Sequence, residues 1–208
     1  MSQFFQVHPV NPQTRLIRRA VEIIKSGGLI VYPTDSCYAF GCQIGDKSAM
    51  ERIARIRQTD NTHNFTLVCR DLSDISVYAK VNNAAYRVLK SLTPGPYTFV
   101  MEATREVPRR LQNPKRKTIG IRIPDNAICM ALLEELDQPL MSSTLIMASE
   151  ELPETNAEDI RDKLQRQVDL VIDGGHCGFE PTSVLHFDEL GEITVTRSGR
   201  GDVSFANQ

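Results

Sequence analysis

The pattern of apolar and polar positions predicts five helices. Over residues 12–26 apolar side chains recur at intervals of three and four, from Leu16 to Ile24, so they share one face of an amphipathic helix. Pro12 suits the first turn of this helix, and Gly27 suits its end. The other helices are predicted over residues 48–56, 83–92, 126–136 and 156–166.

Short apolar runs between turn residues predict eight strands. They cover residues 28–33, 65–69, 97–102, 119–123, 139–144, 168–173, 182–187 and 193–197. Residues 57–64 are polar and without pattern, which predicts a loop. Strands and helices are interspersed, which indicates an α/β domain. Because several of the late strands have no helix between them, the sheet should be mixed rather than purely parallel.

The chain has 208 residues, of which 41% are hydrophobic and 24% are charged, as in an ordinary globular protein. This length predicts one domain, residues 1–208, in which about 70% of the unfolded surface is buried. No apolar run approaches about 18 residues and no basic-then-apolar leader opens the chain, so we expect a cytoplasmic protein without a membrane partner. Five scattered cysteines without Cys-x-x-Cys spacing disfavour a disulfide framework and a metal site.

A polar segment directly follows the first predicted strand. Pro33 ends the apolar run, and Thr34, Asp35 and Ser36 come next. Ligands of open α/β sheets gather outside the strand ends, so these three side chains are candidates for binding a small polar molecule. Pro-Thr-Asp is also ordinary turn chemistry, and a turn without a ligand is the alternative.

The formal net charge of −2 conceals a strongly basic segment. Between residues 105 and 122, seven lysines and arginines stand against a single acid, Glu106. A field this one-sided attracts nucleotide phosphates or RNA, whereas a solvated loop is the alternative. The candidates for RNA contacts are Arg109, Arg110, Lys115, Arg116 and Lys117.

Six short motifs occur in a fixed order along nearly the whole chain. They are LIVYPTDSCYAFG at residues 29–41, PGPYT at 94–98, TIGIRIP at 118–124, DGG at 173–175, PTSV at 181–184 and RSG at 197–199. Their order and spacing resemble those of the YrdC/Sua5 family, and in particular of a divergent, YciO-like paralogue. The resemblance implies a single YrdC-like domain, a twisted mixed sheet flanked by helices around a large basic cavity. Some homologues carry a second C-terminal domain, and we expect this chain to end about where the catalytic domain ends.

The resemblance also implies an activity. Well-studied members condense L-threonine, bicarbonate and ATP, with Mg²⁺, into threonylcarbamoyl-adenylate for the t6A modification of tRNA, which makes this chain a candidate nucleotidyltransferase. Together with the polar segment above, the matching motifs assign catalysis to Arg55 and Arg57, substrate binding to Thr34, Asp35, Ser143, Thr144 and Ser183, and nucleotide binding to Arg57, Thr118, Arg122 and Arg197. A helix-surface position for Arg55 and a hydroxyl satisfied by the backbone for Ser183 are the alternatives.

Two positions depart from the family's pattern. The family's Lys-x-Arg pair stands here as Arg55-Ile56-Arg57, which keeps both charges, and its Ser-x-Asn stands as Thr144 and Ile146. An isoleucine cannot hydrogen-bond a nucleotide, so these changes predict altered chemistry on a retained fold. The loop after Arg57 also looks longer than usual. His63 in that loop and His176 lack a partnered carboxylate at recognisable spacing, which disfavours both as general bases.

Two functions remain open. The first is an enzyme that forms or handles threonylcarbamoyl-adenylate and binds ATP or an adenylate, L-threonine and bicarbonate. The second is a non-catalytic protein of the same fold that binds double-stranded RNA or tRNA through the basic segment. The lack of an aromatic-rich strand face argues against base-specific reading of single strands.

Overall fold

Six α-helices form in the described part of the chain, most of them with a side-chain cap. The computed structural model describes residues 1–59, 64–148 and 150–207. Five helices begin at an aspartate or asparagine whose side chain accepts a backbone N–H, a favourable N-cap. The helices are α1 (Thr14–Lys25), α2 (Lys47–Arg57), α3 (Leu72–Tyr78), α4 (Asn83–Leu92), α5 (Ala127–Leu136) and α6 (Ala157–Leu164). Within the described residues, no helix is long and apolar enough to cross a membrane.

The strands form one ten-stranded sheet in the order β1-β8-β2-β3-β7-β4-β6-β5-β9-β10. They are β1 (Gln3–Gln6), β2 (Ile30–Tyr32), β3 (Ala39–Gln43), β4 (Thr66–Val68), β5 (Tyr97–Glu102), β6 (Thr118–Arg122), β7 (Leu140–Thr144), β8 (Leu170–Asp173), β9 (Ser183–Phe187) and β10 (Ile193–Arg197). Four neighbouring pairs are parallel and five are antiparallel. The mixed α/β sheet predicted from the sequence is therefore confirmed.

Alternate residues of β2 face two separate apolar cores. On β2, Ile30 and Tyr32 pack in a core with α1 and α5, whereas Val31 packs in the larger core with α2, α4 and α6. Both Ile30 and Val31 are fully buried. A strand buried on both sides reads as a continuous apolar run, and this explains the run before Pro33.

All predicted strands and helices form, and their ends shift by at most two residues. Two further strands, β1 and β3, and one further α-helix, α3, were not predicted. In β3, Gly41 interrupts the apolar pattern because a Cβ there would lie 2.8 Å from both Tyr32 and Leu140, so the glycine permits close packing inside the sheet. Of the predicted loop at 57–64, residues 60–63, with His63, lie outside the described residues.

Candidate functional site

A cavity of about 430 Å³ lies against the part of the sheet between β3 and β10. Ten serine and threonine residues line it, together with the four arginines Arg57, Arg116, Arg122 and Arg197. None of the described residues that line it carries a carboxylate. The cavity therefore offers hydroxyl groups and positive charge, the groups that bind phosphates and other anions.

Thr34 lies in the cavity wall and also forms the turn after β2. Its Oγ1 donates to the carbonyl of Cys37 at 2.6 Å and accepts from the backbone N–H of Ser36 at 3.1 Å and of Cys37 at 3.2 Å. These are the contacts of a hydroxyl-stabilised turn. The turn interpretation is thus observed, and the turn also places Thr34 at the cavity surface, where its binding of a ligand stays a prediction.

Asp35 is not among the residues that line the cavity and forms a buried ion pair with Arg122. One carboxylate oxygen accepts from Arg122 Nη2, and the other accepts from the backbone N–H of Asp125 at 3.0 Å. The side chains of Asp35 and Arg122 are each 9% exposed. Arg122 also donates to Ser36 Oγ at 3.3 Å, while its Nε has no partner among the described residues. The charge of Arg122 is therefore compensated locally, and Asp35 holds this guanidinium in the cavity wall.

Arg57 extends from the last turn of α2 into the cavity. Its Nη1 donates to Ser143 Oγ at 2.6 Å and to the carbonyl of Thr144 at 2.7 Å, which connects α2 to the end of β7. Burial lowers the pKa of the Arg57 guanidinium, and the charge of Arg197 lowers it further. Among the described residues no carboxylate forms an ion pair with Arg57, so its charge is available to an anion.

Arg197 supplies a second positive charge without a carboxylate partner in the described ranges. Its Nε donates to the carbonyl of Thr182 at 2.9 Å and its Nη2 to Thr182 Oγ1 at 3.1 Å. Burial lowers the pKa of Arg197, and the charge of Arg122 adds to this effect. An anion between Arg57 and Arg197 would relieve the repulsion between them, because both guanidinium groups stay protonated at neutral pH.

Arg116 is the one of the five RNA-binding candidates in the basic segment that lines the cavity. Asn113 Oδ1 accepts from the backbone N–H groups of Lys115 at 3.1 Å and Arg116 at 3.0 Å, which fixes a turn next to the cavity. The other candidates are exposed and lie outside the lining: Arg109, Arg110, Lys115 and Lys117. With Arg122 and the exposed Arg105 included, the segment contributes two arginines to the cavity and five charges to the outer surface.

Some of the remaining candidate residues line the cavity and others lie outside it. The cavity brings together Thr118, Ser143, Thr144 and Ile146 with the residues above. It does not include Arg55, which is exposed on α2, or His176, which is exposed in a loop. Ser183 is fully buried outside the lining, where it donates to the carbonyl of Gly201 at 2.6 Å and accepts from the N–H of Gly199 at 2.9 Å.

Apart from Arg197, sequence reasoning missed the side of the cavity formed by β5, β9 and β10. Thr182, Val184 and His186 line the cavity, whereas the residues between them, Ser183 and Leu185, are fully buried elsewhere. Two-residue alternation along 182–187 was the signal that could have found these side chains, because alternate strand residues face opposite sides of a sheet.

The cavity residues do not fit a magnesium ion held by the protein. No group of three His, Cys, Asp or Glu side chains that could hold a metal occurs in the described parts of the chain. Asp35 already pairs with Arg122. Cys37 lines the cavity, but burial raises the pKa of its thiol to about 11, so it is a neutral thiol at pH 7.

A family model covering Sua5, YciO and YrdC, described as "Telomere recombination", matches residues 22–199. The uncharacterized protein YciO of Escherichia coli K12 is 56% identical over 203 residues, which are 98% of each chain. The human protein named threonylcarbamoyl-AMP synthase is 32% identical over 165 residues, which are 79% of this chain and 58% of the human one.

Solved structures show the same fold. The crystal structure of E. coli YciO matches with a TM-score of 0.93 at 56% identity and covers 98% of both chains. A crystal structure of P. abyssi Sua5 complexed with L-threonine matches with a TM-score of 0.86 at 23% identity. That match covers 95% of this chain and 58% of the Sua5 chain.

Proposed function

The chain belongs to the Sua5/YciO/YrdC family, and from this premise we propose that its cavity binds ATP and L-threonine and that it forms or handles threonylcarbamoyl-adenylate. The observation that carries the proposal is the pair Arg57 and Arg197, two partly buried charges in a cavity otherwise rich in hydroxyl groups. A nucleoside triphosphate carries the anionic charge that such a pair stabilises. The 32% identical human relative, named threonylcarbamoyl-AMP synthase, supports the choice of substrates.

The proposed reaction has two steps. The amino group of L-threonine attacks bicarbonate, water leaves, and a carbamate forms. A carbamate oxygen then attacks the α-phosphorus of ATP, the bond from that phosphorus to the oxygen shared with the β-phosphorus breaks, and pyrophosphate leaves with that oxygen. Arg57 and Arg197 stabilise the charge that develops on the leaving pyrophosphate, and Mg²⁺ enters with the nucleotide phosphates.

Hydroxyl groups of the cavity orient the substrates in this proposal. Ser143 Oγ is held by Arg57, and Thr34 is fixed by its own turn, so both have defined positions before a ligand arrives. Ile146 lines the same cavity and has no hydrogen-bonding side-chain atom. We therefore expect nucleotide binding to be retained and synthesis to be slow.

Nucleotide binding is tested by removing one arginine at a time from α2. We expect Arg57→Ala to weaken ATP binding by about 1.5 to 3 kcal/mol, or roughly 10- to 150-fold, the scale of hydrogen bonds to charged groups. Arg55→Ala should change the affinity by less than about threefold, because this side chain is exposed and lies outside the cavity lining. Isothermal titration calorimetry with ATP and Mg²⁺ measures both.

The two variants also distinguish the prediction from the sequence motif, in which both arginines bind the nucleotide, from the prediction from the structure, in which only Arg57 does. Lys47→Ala removes an exposed charge from the same helix and serves as the control. If Arg55→Ala and Arg57→Ala weaken ATP binding equally, the two arginines act as the motif predicts and the nucleotide extends beyond the cavity. If neither variant differs from the parent protein, the nucleotide lies elsewhere.

RNA binding is a second candidate function, and the exposed charges of the basic segment favour it. Lys115 and Lys117 flank Arg116 in the turn that Asn113 organises, and both are exposed outside the cavity lining. Neutralisation of RNA phosphates by these lysines releases counterions, so binding should weaken steeply with salt and depend little on sequence.

We expect Lys115→Glu/Lys117→Glu to abolish binding of double-stranded RNA at moderate salt and to leave ATP binding intact. Arg116 is left in place because it lines the cavity. Lys25→Glu/Lys90→Glu makes the same change in net charge at exposed positions of α1 and α4 and is the control. Gel-shift titrations at several salt concentrations measure the effect, and equal binding by the two double variants would exclude the segment as an RNA site.

A further inference from the structure

One side of the cavity differs chemically from the rest. We call it the β9 wall; it consists of Thr98, Val100, Val184, His186 and Thr196. These residues come from three adjacent strands, β5, β9 and β10. In the sheet register Thr98 pairs with Val184 and Val100 pairs with His186, so the side chains adjoin one another. The wall consists of four β-branched side chains and one imidazole.

The β9 wall has one end near Arg197 and one end away from it: Val184 pairs with Arg197 in the sheet register, whereas His186 and Val100 lie further along the strands. Arg197 contacts Thr182, the residue before β9, whereas His186 lies four residues further along. Four residues of a strand span about 13 Å. A ligand that fills both parts is therefore extended, with an anionic group at Arg57 and Arg197 and a less polar group at the β9 wall. A nucleotide, with phosphates at one end and a flat base at the other, has this form.

His186 is the polar group of the wall that lacks a partner. Its Nε2 is buried and makes no hydrogen bond within the described residues. A buried polar atom without a partner is unfavourable, and such atoms in native proteins call for an explanation. An imidazole nitrogen can donate or accept one hydrogen bond, as the edge of a nucleotide base requires.

We propose that the base of the bound nucleotide lies against the β9 wall and that His186 hydrogen-bonds its edge, which makes His186 a specificity-determining residue. The proposal rests on the proposed function, since it assumes that the arginines hold the phosphates. It adds the orientation of the nucleotide, with the base towards the C-terminal end of β9. It also adds the residue that distinguishes a nucleotide from a bare polyphosphate.

The test compares two ligands that share phosphates and differ in the base. Isothermal titration calorimetry with ATP and with inorganic tripolyphosphate is carried out on the parent protein and on His186→Phe and His186→Gln. We expect His186→Phe to weaken ATP binding about tenfold, the effect of one lost hydrogen bond, and to leave tripolyphosphate binding unchanged. His186→Gln keeps a hydrogen-bonding group and should lose less affinity for ATP than His186→Phe. The differences in affinity among ATP, GTP and CTP should be smaller in His186→Phe than in the parent protein.

Each outcome decides the proposal. His176→Phe, at an exposed histidine outside the cavity lining, is the control and should behave as the parent. Equal ATP binding by the parent, His186→Phe and His186→Gln overturns the inference and leaves the proposed function standing. Equal weakening of ATP and tripolyphosphate also overturns it, because His186 would then act through the structure of the whole cavity. Failure of the parent to bind either ligand rejects the proposed function and the inference together.

Discussion

Asp35→Ala is expected to lower the free energy of unfolding by about 3 to 5 kcal/mol, the usual effect of removing one partner of a buried ion pair. Arg122 would remain with its charge in a site where its side chain is 9% exposed. The backbone N–H of Asp125 would lose its acceptor as well. Equilibrium urea unfolding, monitored by circular dichroism, measures the change.

Two variants show whether the effect comes from the unpaired charge. Asp35→Ala/Arg122→Met removes both charges and should recover a large part of the lost stability, since a buried ion pair is often replaceable by apolar groups. Glu51→Ala removes an exposed carboxylate whose nearest cation, Lys47, is 3.5 Å away, and should cost less than about 0.5 kcal/mol. A single Asp35→Ala variant as stable as Glu51→Ala would contradict the role given to the Asp35–Arg122 pair.

Ile146→Asn is expected to raise the rate of threonylcarbamoyl-adenylate synthesis about a hundredfold. Ile146 lines the cavity directly after β7, two residues beyond Thr144, whose carbonyl accepts from Arg57. One preorganised hydrogen-bond donor is worth about 10²- to 10³-fold in rate when it meets charge that develops in the transition state. Product formation under saturating substrates, followed by liquid chromatography and mass spectrometry, measures the gain. Adding Arg55→Lys should bring no further increase, because Arg55 lies outside the cavity lining.

Ile146→Ala is the matched control for this gain. It opens the same space without adding a donor, so it should leave synthesis at the parent's rate. A buried amide left without a hydrogen-bond partner costs about 1 to 3 kcal/mol, and the unfolding transition of Ile146→Asn is therefore measured alongside. A folded Ile146→Asn protein no faster than Ile146→Ala would mean that the cavity serves another substrate.

The fold followed from the sequence where the apolar pattern was long and regular. The helix predicted over 83–92 and the strand over 97–102 form with the predicted ends. Elements were missed where the pattern was short or broken. The strand β1 has four residues and α3 has seven, too few for a period to emerge, and in β3 a glycine replaces the expected side chain for reasons of packing with Tyr32.

The candidate site followed from the sequence only in part, because side-chain direction is set by the backbone. Arg55 and Arg57 are two residues apart on a helix, or about 200° around its axis, so only one of them reaches the cavity. Thr182 and Ser183 are neighbours in the sequence at the start of β9, and their side chains face opposite sides of the sheet. Only Thr182 lines the cavity. The pairing of Asp35 with Arg122 joins residues 87 positions apart, which a single sequence cannot show.

The measurement that tests the central proposal most directly is the detection of the product. The purified protein is incubated with ATP, Mg²⁺, bicarbonate and L-threonine, and threonylcarbamoyl-adenylate and pyrophosphate are quantified by mass spectrometry and an enzymatic pyrophosphate assay. The proposed function predicts that both appear in equal amounts, only when every substrate is present, and that Arg57→Ala lowers both together. A folded, ATP-binding protein that forms neither above the level of a heat-denatured sample would contradict synthesis as the function of this chain.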